Sequence, residues 1–174
     1  MPAPDILGHT RKMNSLLESY QAKIAAPFAV LGIREIGEVL TDIEYLPSGA
    51  APLKPQTRFA REVCRQLGAY LKDANFNFDL PCEIYGTVFQ KRVWQSVRAI
   101  PAGSVLSYSE VARKIQSAPR PVGSACGANR IPILIPCHRV VASQGIGGFM
   151  HARSGSPIAI KRWLLNHENP GRYR

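Results

Sequence analysis

The 174-residue chain has no apolar run of about 18 residues, the length that a helix needs to cross a bilayer. It also has no basic N-terminal stretch followed by an apolar one, and this absence argues against a secretory signal. Together these absences predict a cytoplasmic protein without a membrane partner, in a compartment where thiols stay reduced.

The spacing typical of a zinc site is absent as well. The four cysteines, Cys64, Cys82, Cys126 and Cys137, lie far apart in the sequence, and no two of them form a C-x-x-C pair. Structural zinc sites normally use such pairs, so we predict no metal. Each cysteine is expected to be a free thiol, which by default acts as a small buried hydrophobic side chain.

Acidic residues are scarce in the second half of the chain. From Leu80 onward thirteen Lys and Arg accompany only three acids, whereas the chain up to Asp79 carries nine basic and nine acidic side chains. The net charge of +10 therefore comes entirely from the second half. This placement favours a polyanionic partner, with nucleic acid first, over a basic surface that has no partner.

The first half predicts a small sheet and one helix. β-rich runs at 28–36 and 38–46, separated by Gly37, predict a hairpin, and residues 20–26 are a third candidate strand. Apolar residues at helical spacing predict a helix over 56–72.

A domain boundary is expected near residue 80, where the charge shifts and the helical pattern breaks. We therefore divide the chain into an N-terminal α/β domain, residues 1–80, and a C-terminal domain, residues 81–174. The stretch from Met1 to Ser19 is expected to be disordered or loosely helical.

The second half predicts a series of short helices. Thr87 with Gln90, and Ser107 with Glu110, form two capping boxes, and the second of these helices is expected to end near residue 116. A tight turn then leads to a third helix over 120–129. Two short helices joined by a tight turn are typical of a helix-turn-helix unit.

The rest of the chain predicts a glycine-rich, basic and mobile loop over 143–156, followed by a final helix. Ser156 is the expected N-cap of this helix, and Pro157 is its expected first residue. The helix is expected to end at residue 168, with its inward side chains being Ile160, Trp163, Leu164 and His167.

Cys137 and His138 stand side by side after Pro136, at the end of an apolar run. A nucleophilic cysteine requires a lowered pKa, which a histidine oriented by a carboxylate can provide. Neighbouring side chains diverge, so contact between them requires a turn or a bridging water, and Pro136 favours a turn. Glu168 is the best candidate for the carboxylate, because acids are rare in this half. Taken alone, a Cys-His dipeptide is more often structural than catalytic.

Longer motifs place this dipeptide in a family. "PCHRVV" (136–141) resembles the active-site signature of the O6-alkylguanine-DNA alkyltransferases, or methylated-DNA–protein-cysteine methyltransferases. The resemblance extends, in the family's order, to "GSVLSY" (103–108), "VGSACGAN" (122–129), "IPILIPCHRVV" (131–141) and "IKRWLLNHE" (160–168). It covers most of the range 85–168, whereas the range 1–80 matches only in outline.

The resemblance implies an α/β (α+β) fold class. A small sheet-plus-helix N-terminal domain, ribonuclease H-like, would precede a mostly helical domain that is winged helix-turn-helix-like.

Family members bind the minor groove of double-stranded DNA containing O6-alkylguanine and flip the damaged base out of the stack. Their cysteine keeps the alkyl group after a single turnover, without metal or cofactor, and O4-alkylthymine is an expected second substrate. We expect a monomer in solution that can cluster on DNA.

The resemblance also implies roles for five residues. Cys137 matches the alkyl acceptor, His138 the group that takes the thiol proton through a water, and Glu168 the acid that orients His138. Asn129 is expected to fix the turn before the active-site segment, although Asn also caps helices. Tyr108 is expected to donate to the departing guanine, although a core aromatic with a wet end is the plainer interpretation.

Other matched residues are expected to contact DNA or the flipped base. Arg120 is expected to enter the stack where the base was, although it also fits a solvated charge. Further expected DNA contacts are Gly123, Ser124, Ala125, Arg130 and Arg139, with internal pairing as the alternative for the two arginines. The expected substrate pocket comprises main-chain groups near Cys137 and Val140, together with the loop residues Ser154 and Gly155.

Two alternatives and one departure remain. The segment from Cys137 to Glu168 is longer than in family members with a short loop, and the extra residues within 148–157 are expected to change the tolerance for bulky alkyl groups. A non-catalytic helix-turn-helix protein that recognises alkylated DNA would explain the charge but not Cys137. A thiol hydrolase would explain Cys137 and His138 but not the basic half.

Overall fold

The computed structural model describes residues 19–173. The disorder or loose helicity expected from Met1 to Ser19 therefore lies outside the described residues, apart from Ser19 itself. The described chain begins with a sheet and a helix and continues as a set of short helices, as the sequence predicts. Within residues 19–173, no helix combines the length and the apolar character needed to cross a membrane.

The sheet has three antiparallel strands in the order β1 (Ala22–Ala26), β2 (Ala29–Ile36) and β3 (Val39–Leu46). Gly37 and Glu38 form the β2–β3 turn, and both have positive φ angles, 56° and 63°. A two-residue turn of this kind matches the twist of a hairpin, so the predicted hairpin is confirmed. The predicted third strand is confirmed as β1.

Helix α1 (Arg58–Lys72) packs on this sheet. Its N-cap is Thr57, whose side chain accepts a hydrogen bond from the Ala60 amide at 2.9 Å. Its buried residues recur at helical spacing, which is the pattern that predicted it; they are Phe59, Ala60, Val63, Gln66, Leu67 and Tyr70.

The helix-turn-helix unit consists of α3 (Tyr108–Lys114) and α4 (Pro119–Gly127), and α2 (Val88–Arg98) packs behind it. Both predicted capping boxes are present, at Thr87 and Ser107. The buried indole of Trp94, on α2, donates to the Ala125 carbonyl of α4 at 2.8 Å and so joins the unit to α2. The helices α3 and α4 end slightly before the positions predicted for them.

Pro136 sits at a tight turn between the buried apolar run and the active-site segment. Its φ and ψ of −81° and 62° are those of an inverse γ-turn, and the Cys137 amide donates to the Ile135 carbonyl across it at 2.8 Å. A single 3-10 turn, Cys137–Arg139, follows, and then strand β5 (Val140–Val141) pairs with β4 (Leu106–Ser107) in parallel. The turn predicted from Pro136 is therefore confirmed.

The final helix, α5, runs from Ser156 to Glu168. The predicted Ser156 cap is wrong: Ser156 is the first helical residue, and the cap position belongs to Gly155, whose φ of 76° suits glycine and which offers no capping side chain. Ile160 and Leu164 face the core as predicted, whereas Trp163 and His167 are only half-buried.

The N-terminal sheet and the C-terminal part are in direct contact through β3. The Leu40 amide donates to the Pro81 carbonyl and the Ile43 amide to the Arg130 carbonyl, each at 2.9 Å. The Arg130 guanidinium also contacts the Asp42 carboxylate at 2.7 Å. The active-site segment that follows Arg130 is thus anchored directly on the sheet.

Candidate active site

Cys137 lies at the bottom of a cavity of about 660 Å³ and is 3% exposed. One wall of this cavity is helix α4 and the facing wall is the loop 148–153. Its lining residues are Tyr108, Pro119, Arg120, Gly123, Ser124, Cys126, Gly127, Cys137 and the loop residues 148–153. A group that reaches the thiol must therefore enter between the helix-turn-helix unit and the loop.

His138 and Glu168 form the predicted pair. The His138 Nε2 lies 2.8 Å from the Glu168 Oε1, and both side chains are 1% exposed. Because a carboxylate only accepts hydrogen bonds, this contact places the proton of a neutral imidazole on Nε2 and leaves Nδ1 as an acceptor. The Nδ1 atom is buried and has no hydrogen-bond partner among residues 19–173.

Arg139 completes the network around Glu168. Its guanidinium donates to both oxygens of Glu168 at 2.9 Å and to the Ile100 carbonyl. Of the two roles that the sequence left open for Arg139, the structure shows internal pairing. Tyr70, from α1, donates its hydroxyl to the same carboxylate at 2.8 Å, so the N-terminal part also supports the site.

The pKa values of the pair reflect this network. Burial alone would raise the pKa of Glu168, but the hydrogen bonds from His138 and Arg139 hold it far below its ordinary value. The pKa of His138 is also lowered, first because burial disfavours the imidazolium and then because of the nearby positive charges of Arg139 and Lys161. Burial and these charges outweigh the effect of the Glu168 carboxylate, which alone would raise the pKa of His138. His138 is therefore neutral at neutral pH.

The thiol is not ionised in advance. Burial, and then the adjacent Cys126 thiol, raise the pKa of Cys137 well above its ordinary value, although Asn129 and Lys161 act in the opposite direction. The sequence predicts a lowered pKa for Cys137, whereas the structure presents a protonated thiol beside a neutral imidazole. The thiol proton must consequently leave during the reaction itself.

Lys161 is a site residue that sequence reasoning missed. Its side chain is fully buried, and its ammonium donates to the Val140 carbonyl at 2.6 Å and to the Gly148 carbonyl at 2.8 Å. Burial lowers its pKa to about 8. Lys161 lies on the helical face that also carries Leu164, Leu165 and Glu168, and this spacing was the available signal.

Tyr108 and Asn129 both form hydrogen bonds with main-chain groups of the site. The Tyr108 hydroxyl donates to the Gly148 carbonyl at 3.0 Å and lies 3.5 Å from the Lys161 ammonium. Burial raises its pKa, so it remains protonated and able to donate. The Asn129 amide donates to the Ile135 carbonyl and accepts from the Ile131 amide, and thereby holds the segment before Cys137 in its turn.

The remaining predicted contacts divide into three groups. Arg120, Gly123 and Ser124 line the cavity, whereas Ala125 is 2% exposed and its carbonyl accepts from Trp94. Two residues are held by internal contacts: Arg130 pairs with Asp42, and the Val140 carbonyl accepts from Lys161. Ser154 and Gly155 are exposed and lie outside the cavity lining.

Comparisons with known proteins agree with this geometry. Residues 88–170 match the family model described as "6-O-methylguanine DNA methyltransferase, DNA binding domain". A methylated-DNA–protein-cysteine methyltransferase of Mycobacterium bovis is 36% identical over 152 residues, which cover 83% of this chain and 89% of that protein. The chain belongs to this methyltransferase family.

Other members of the family differ in length. The bifunctional transcriptional activator/DNA repair enzyme Ada of Escherichia coli is 38% identical over 122 residues, which are 68% of this chain but only 34% of that protein. The chain thus spans about a third of that relative. Among solved structures, Mycobacterium tuberculosis OGT in complex with DNA is 34% identical, with a TM-score of 0.69 and coverage of 87% of this chain and 92% of that one.

Proposed function

We propose that this protein transfers the alkyl group of O6-alkylguanine, and of O4-alkylthymine, in duplex DNA to the sulfur of its own Cys137. Each molecule would act once, because the thioether is stable. The observation that carries the proposal is a thiol at the bottom of a cavity beside a helix-turn-helix unit, next to a histidine whose far nitrogen is bound to a carboxylate. The family relationship and the DNA complex of the tuberculosis relative support it.

Base flipping is part of the proposal. A thiol that is 3% exposed cannot reach a base inside an intact stack, so the damaged nucleotide must swing into the cavity. Gly123 and Ser124 bring the backbone of α4 close to the groove, and the exposed Arg120 lies at the cavity lining, where it can occupy the space that the base leaves. The basic second half supplies the attraction to phosphates.

The chemical step follows from the protonation states. The Cys137 proton passes by way of a water to the His138 Nδ1, and the imidazolium that forms is stabilised by the Glu168 carboxylate. The thiolate then attacks the alkyl carbon, so that an S–C bond forms and the C–O6 bond breaks, with the electron pair leaving on the guanine. Tyr108, which is protonated and lines the cavity, turns its O–H from the Gly148 carbonyl to the departing base and donates a hydrogen bond to it.

Two structural features keep this step in place. Arg139 holds the Glu168 carboxylate from both of its oxygens, so that it faces the imidazole in one orientation. Lys161 joins the strand after the thiol to the loop that forms the facing wall, through the Val140 and Gly148 carbonyls. The residues that do chemistry are Cys137, His138 and Tyr108, and the charged residues behind them position these three.

The test is to incubate the protein with duplex DNA containing O6-methylguanine and to measure the mass of the intact protein by mass spectrometry. Transfer predicts one added methyl group per molecule and none in Cys137→Ser, whereas Cys64→Ser, which alters a thiol outside the cavity, should react as the original protein does. Unmodified protein that still binds the duplex would instead support the non-catalytic DNA-binding alternative. Repeated turnover of an ester would support the hydrolase.

We further propose that the chain divides near residue 80 into a supporting N-terminal domain and a C-terminal domain that binds DNA. Tyr70 of α1 donates to Glu168, and Asp42 of β3 pairs with Arg130, which supports a direct role for the first part in positioning the site. We propose that the protein acts in the cytoplasm as a monomer that can cluster on DNA.

A further inference from the structure

Two polar atoms, one on His138 and one on Tyr45, are buried without a protein partner in the described part of the chain. Among residues 19–173, only three buried side-chain nitrogen or oxygen atoms have no hydrogen bond, and two of these are the His138 Nδ1 and the Tyr45 hydroxyl. The third, the Arg34 Nε, lies in a side chain that pairs with Glu44 on the sheet. Buried polar groups nearly always form a hydrogen bond, if not with protein then with an ordered water. We therefore expect these two atoms to bind water.

Tyr45 comes from the N-terminal sheet but reaches the wall of the active-site cavity. It lies on β3, and its ring packs against Phe28 and Phe149, with ring centroids 5.9 and 6.2 Å apart respectively. Phe149 belongs to the loop that faces α4 across the cavity. Tyr45 as a whole is partly exposed, whereas its hydroxyl oxygen is buried.

The electrostatic neighbours of this hydroxyl are Cys137 and Tyr70. Burial, and then the negative charge of a Cys137 thiolate, raise the pKa of Tyr45 far above its ordinary value. The pKa of Tyr70 is raised by burial first, then by Glu168, and Tyr45 adds to the effect. The Tyr45 hydroxyl therefore shares a buried region with Cys137 and Tyr70, and it stays protonated as a hydrogen-bond donor.

We propose that Tyr45 is a positioning residue for proton transfer, in which its hydroxyl and the His138 Nδ1 together hold the water that takes the proton from the Cys137 sulfur. The inference rests on the proposed function and adds a residue from the N-terminal sheet to its relay. No motif of the family resemblance includes Tyr45, and the charge pattern does not single it out.

The hydrogen bonds balance around such a water. The water accepts from the Cys137 S–H and from the Tyr45 O–H, and it donates one of its own protons to the His138 Nδ1. During transfer the S–H proton moves to the water while the water proton moves to Nδ1, so that a thiolate and an imidazolium form and the water is regenerated. Tyr45 keeps its proton throughout and fixes the water in the orientation that this exchange requires.

The alternative is that Tyr45 acts only through its ring, by supporting Phe149 and the loop. Two substitutions separate the hydroxyl from the ring. Tyr45→Phe keeps the ring and removes the hydroxyl, whereas Tyr45→Leu removes both. Tyr20→Phe is the matched control, because the Tyr20 hydroxyl contacts the exposed Glu44 at the surface of the same sheet.

The experiment measures the single-turnover rate of methyl transfer from duplex DNA across pH, with DNA affinity measured separately. We expect Tyr45→Phe to lower the rate constant about fivefold to tenfold, the effect of one neutral hydrogen bond, with unchanged DNA affinity. The pH profile should shift, because a mispositioned water requires more of the thiol to be ionised in advance. Tyr20→Phe should match the original protein at every pH.

The outcomes distinguish this inference from the proposed function. Equal rates for Tyr45→Phe and the original protein would overturn the inference, including the case in which only Tyr45→Leu is slow, because that result assigns the effect to the ring. A lower rate with an unshifted pH profile would overturn it too. If the original protein transfers no methyl group at all, the proposed function fails, and the role of Tyr45 falls with it.

Discussion

Replacing Glu168 with glutamine is the sharpest perturbation of the proposed relay. The substitution keeps the size of the side chain and one accepting oxygen, but it removes the negative charge that faces His138. In the folded protein this carboxylate accepts from the His138 Nε2 at 2.8 Å, twice from Arg139 at 2.9 Å and from the Tyr70 hydroxyl at 2.8 Å. The charge therefore serves two purposes, one in the reaction and one in folding.

The effect on the reaction follows from the resting protonation states. His138 is neutral before the reaction and positively charged after taking the thiol proton, so Glu168 stabilises the charged state more than the resting state. A hydrogen bond to a charged group contributes about 1.5–3 kcal/mol, and losing it in the transition state alone lowers a rate roughly 10- to 100-fold. We expect this reduction in the rate of methyl transfer by Glu168→Gln.

The effect on folding is also large, because the pair is buried. Arg139, with a side chain that is 12% exposed, loses its counter-charge when Glu168 becomes neutral. Removing one partner of a buried ion pair typically lowers the free energy of unfolding by about 3–5 kcal/mol. The control is Glu62→Gln, because Glu62 pairs with Arg65 at the surface, where ion pairs contribute little.

The assay is a rapid-quench single-turnover measurement at saturating duplex, at a temperature where chemical denaturation shows each variant to be folded. Glu168→Gln should be slow and destabilised, and Glu62→Gln should be neither. A folded Glu168→Gln protein that transfers methyl at the original rate would refute the idea that proton transfer to His138 contributes to the reaction.

Three further predictions rest on the site, and a fourth on the helix packing behind it. The transfer rate should fall as pH drops through the pKa of His138, which lies below its ordinary 6.5, because a protonated imidazole accepts no proton; a rate that stays constant on acidification for as long as the protein is folded would contradict this. Since the pKa of Glu168 is lowered in the folded state, its contribution to stability is present above the ordinary 4.5 and is lost as pH falls below it, which acid titration of unfolding measures. Lys161→Met removes the ammonium from the Val140 carbonyl and leaves the Gly148 carbonyl only its bond from Tyr108, so it should lower the free energy of unfolding by about 1–3 kcal/mol and slow transfer; equal stability in denaturant would exclude this role. Trp94→Phe removes the bond to the Ala125 carbonyl and should cost about 1 kcal/mol of stability, with methyl transfer unchanged in a folded sample.

Local signals in the sequence predicted the elements that local interactions determine. The capping boxes at Thr87 and Ser107 and the turn at Gly37 involve groups close together in the chain, and each is present in the structure. The prediction of Ser156 as an N-cap was wrong. Gly155, with its positive φ, takes the cap position although it has no side chain that could accept a hydrogen bond. A cap depends on local backbone angles that residue type alone does not determine.

The chemical pair was predictable for a different reason. The motif indicated Cys137 and His138, and the scarcity of acids in the second half of the chain indicated Glu168. The structure brings His138 and Glu168 together across 30 positions. The sequence left Arg139 open between DNA contact and internal pairing and gave no role to Lys161, because charged residues are normally exposed. Only tertiary packing reveals that Lys161 is buried and that Arg139 pairs with Glu168.

Support from the first half of the chain was the hardest part to predict. Tyr70 reaches Glu168 across 98 positions, and Tyr45 approaches the cavity from β3. In the sequence, Tyr70 is one of several apolar residues on a helix and Tyr45 is one residue of a strand. Their hydroxyls acquire a role only when the sheet and α1 pack against the active-site segment.

The central claim is that Cys137, rather than its neighbour, keeps the alkyl group. Cys126 lines the same cavity and is also a buried free thiol, so a gain in mass of the intact protein does not identify the acceptor. The direct measurement is peptide mapping by tandem mass spectrometry after reaction with duplex DNA containing O6-methylguanine. The account predicts one methyl group, on Cys137, with Cys126 unmodified and Cys126→Ser still competent. A methyl group on Cys126, or on no cysteine, would contradict it.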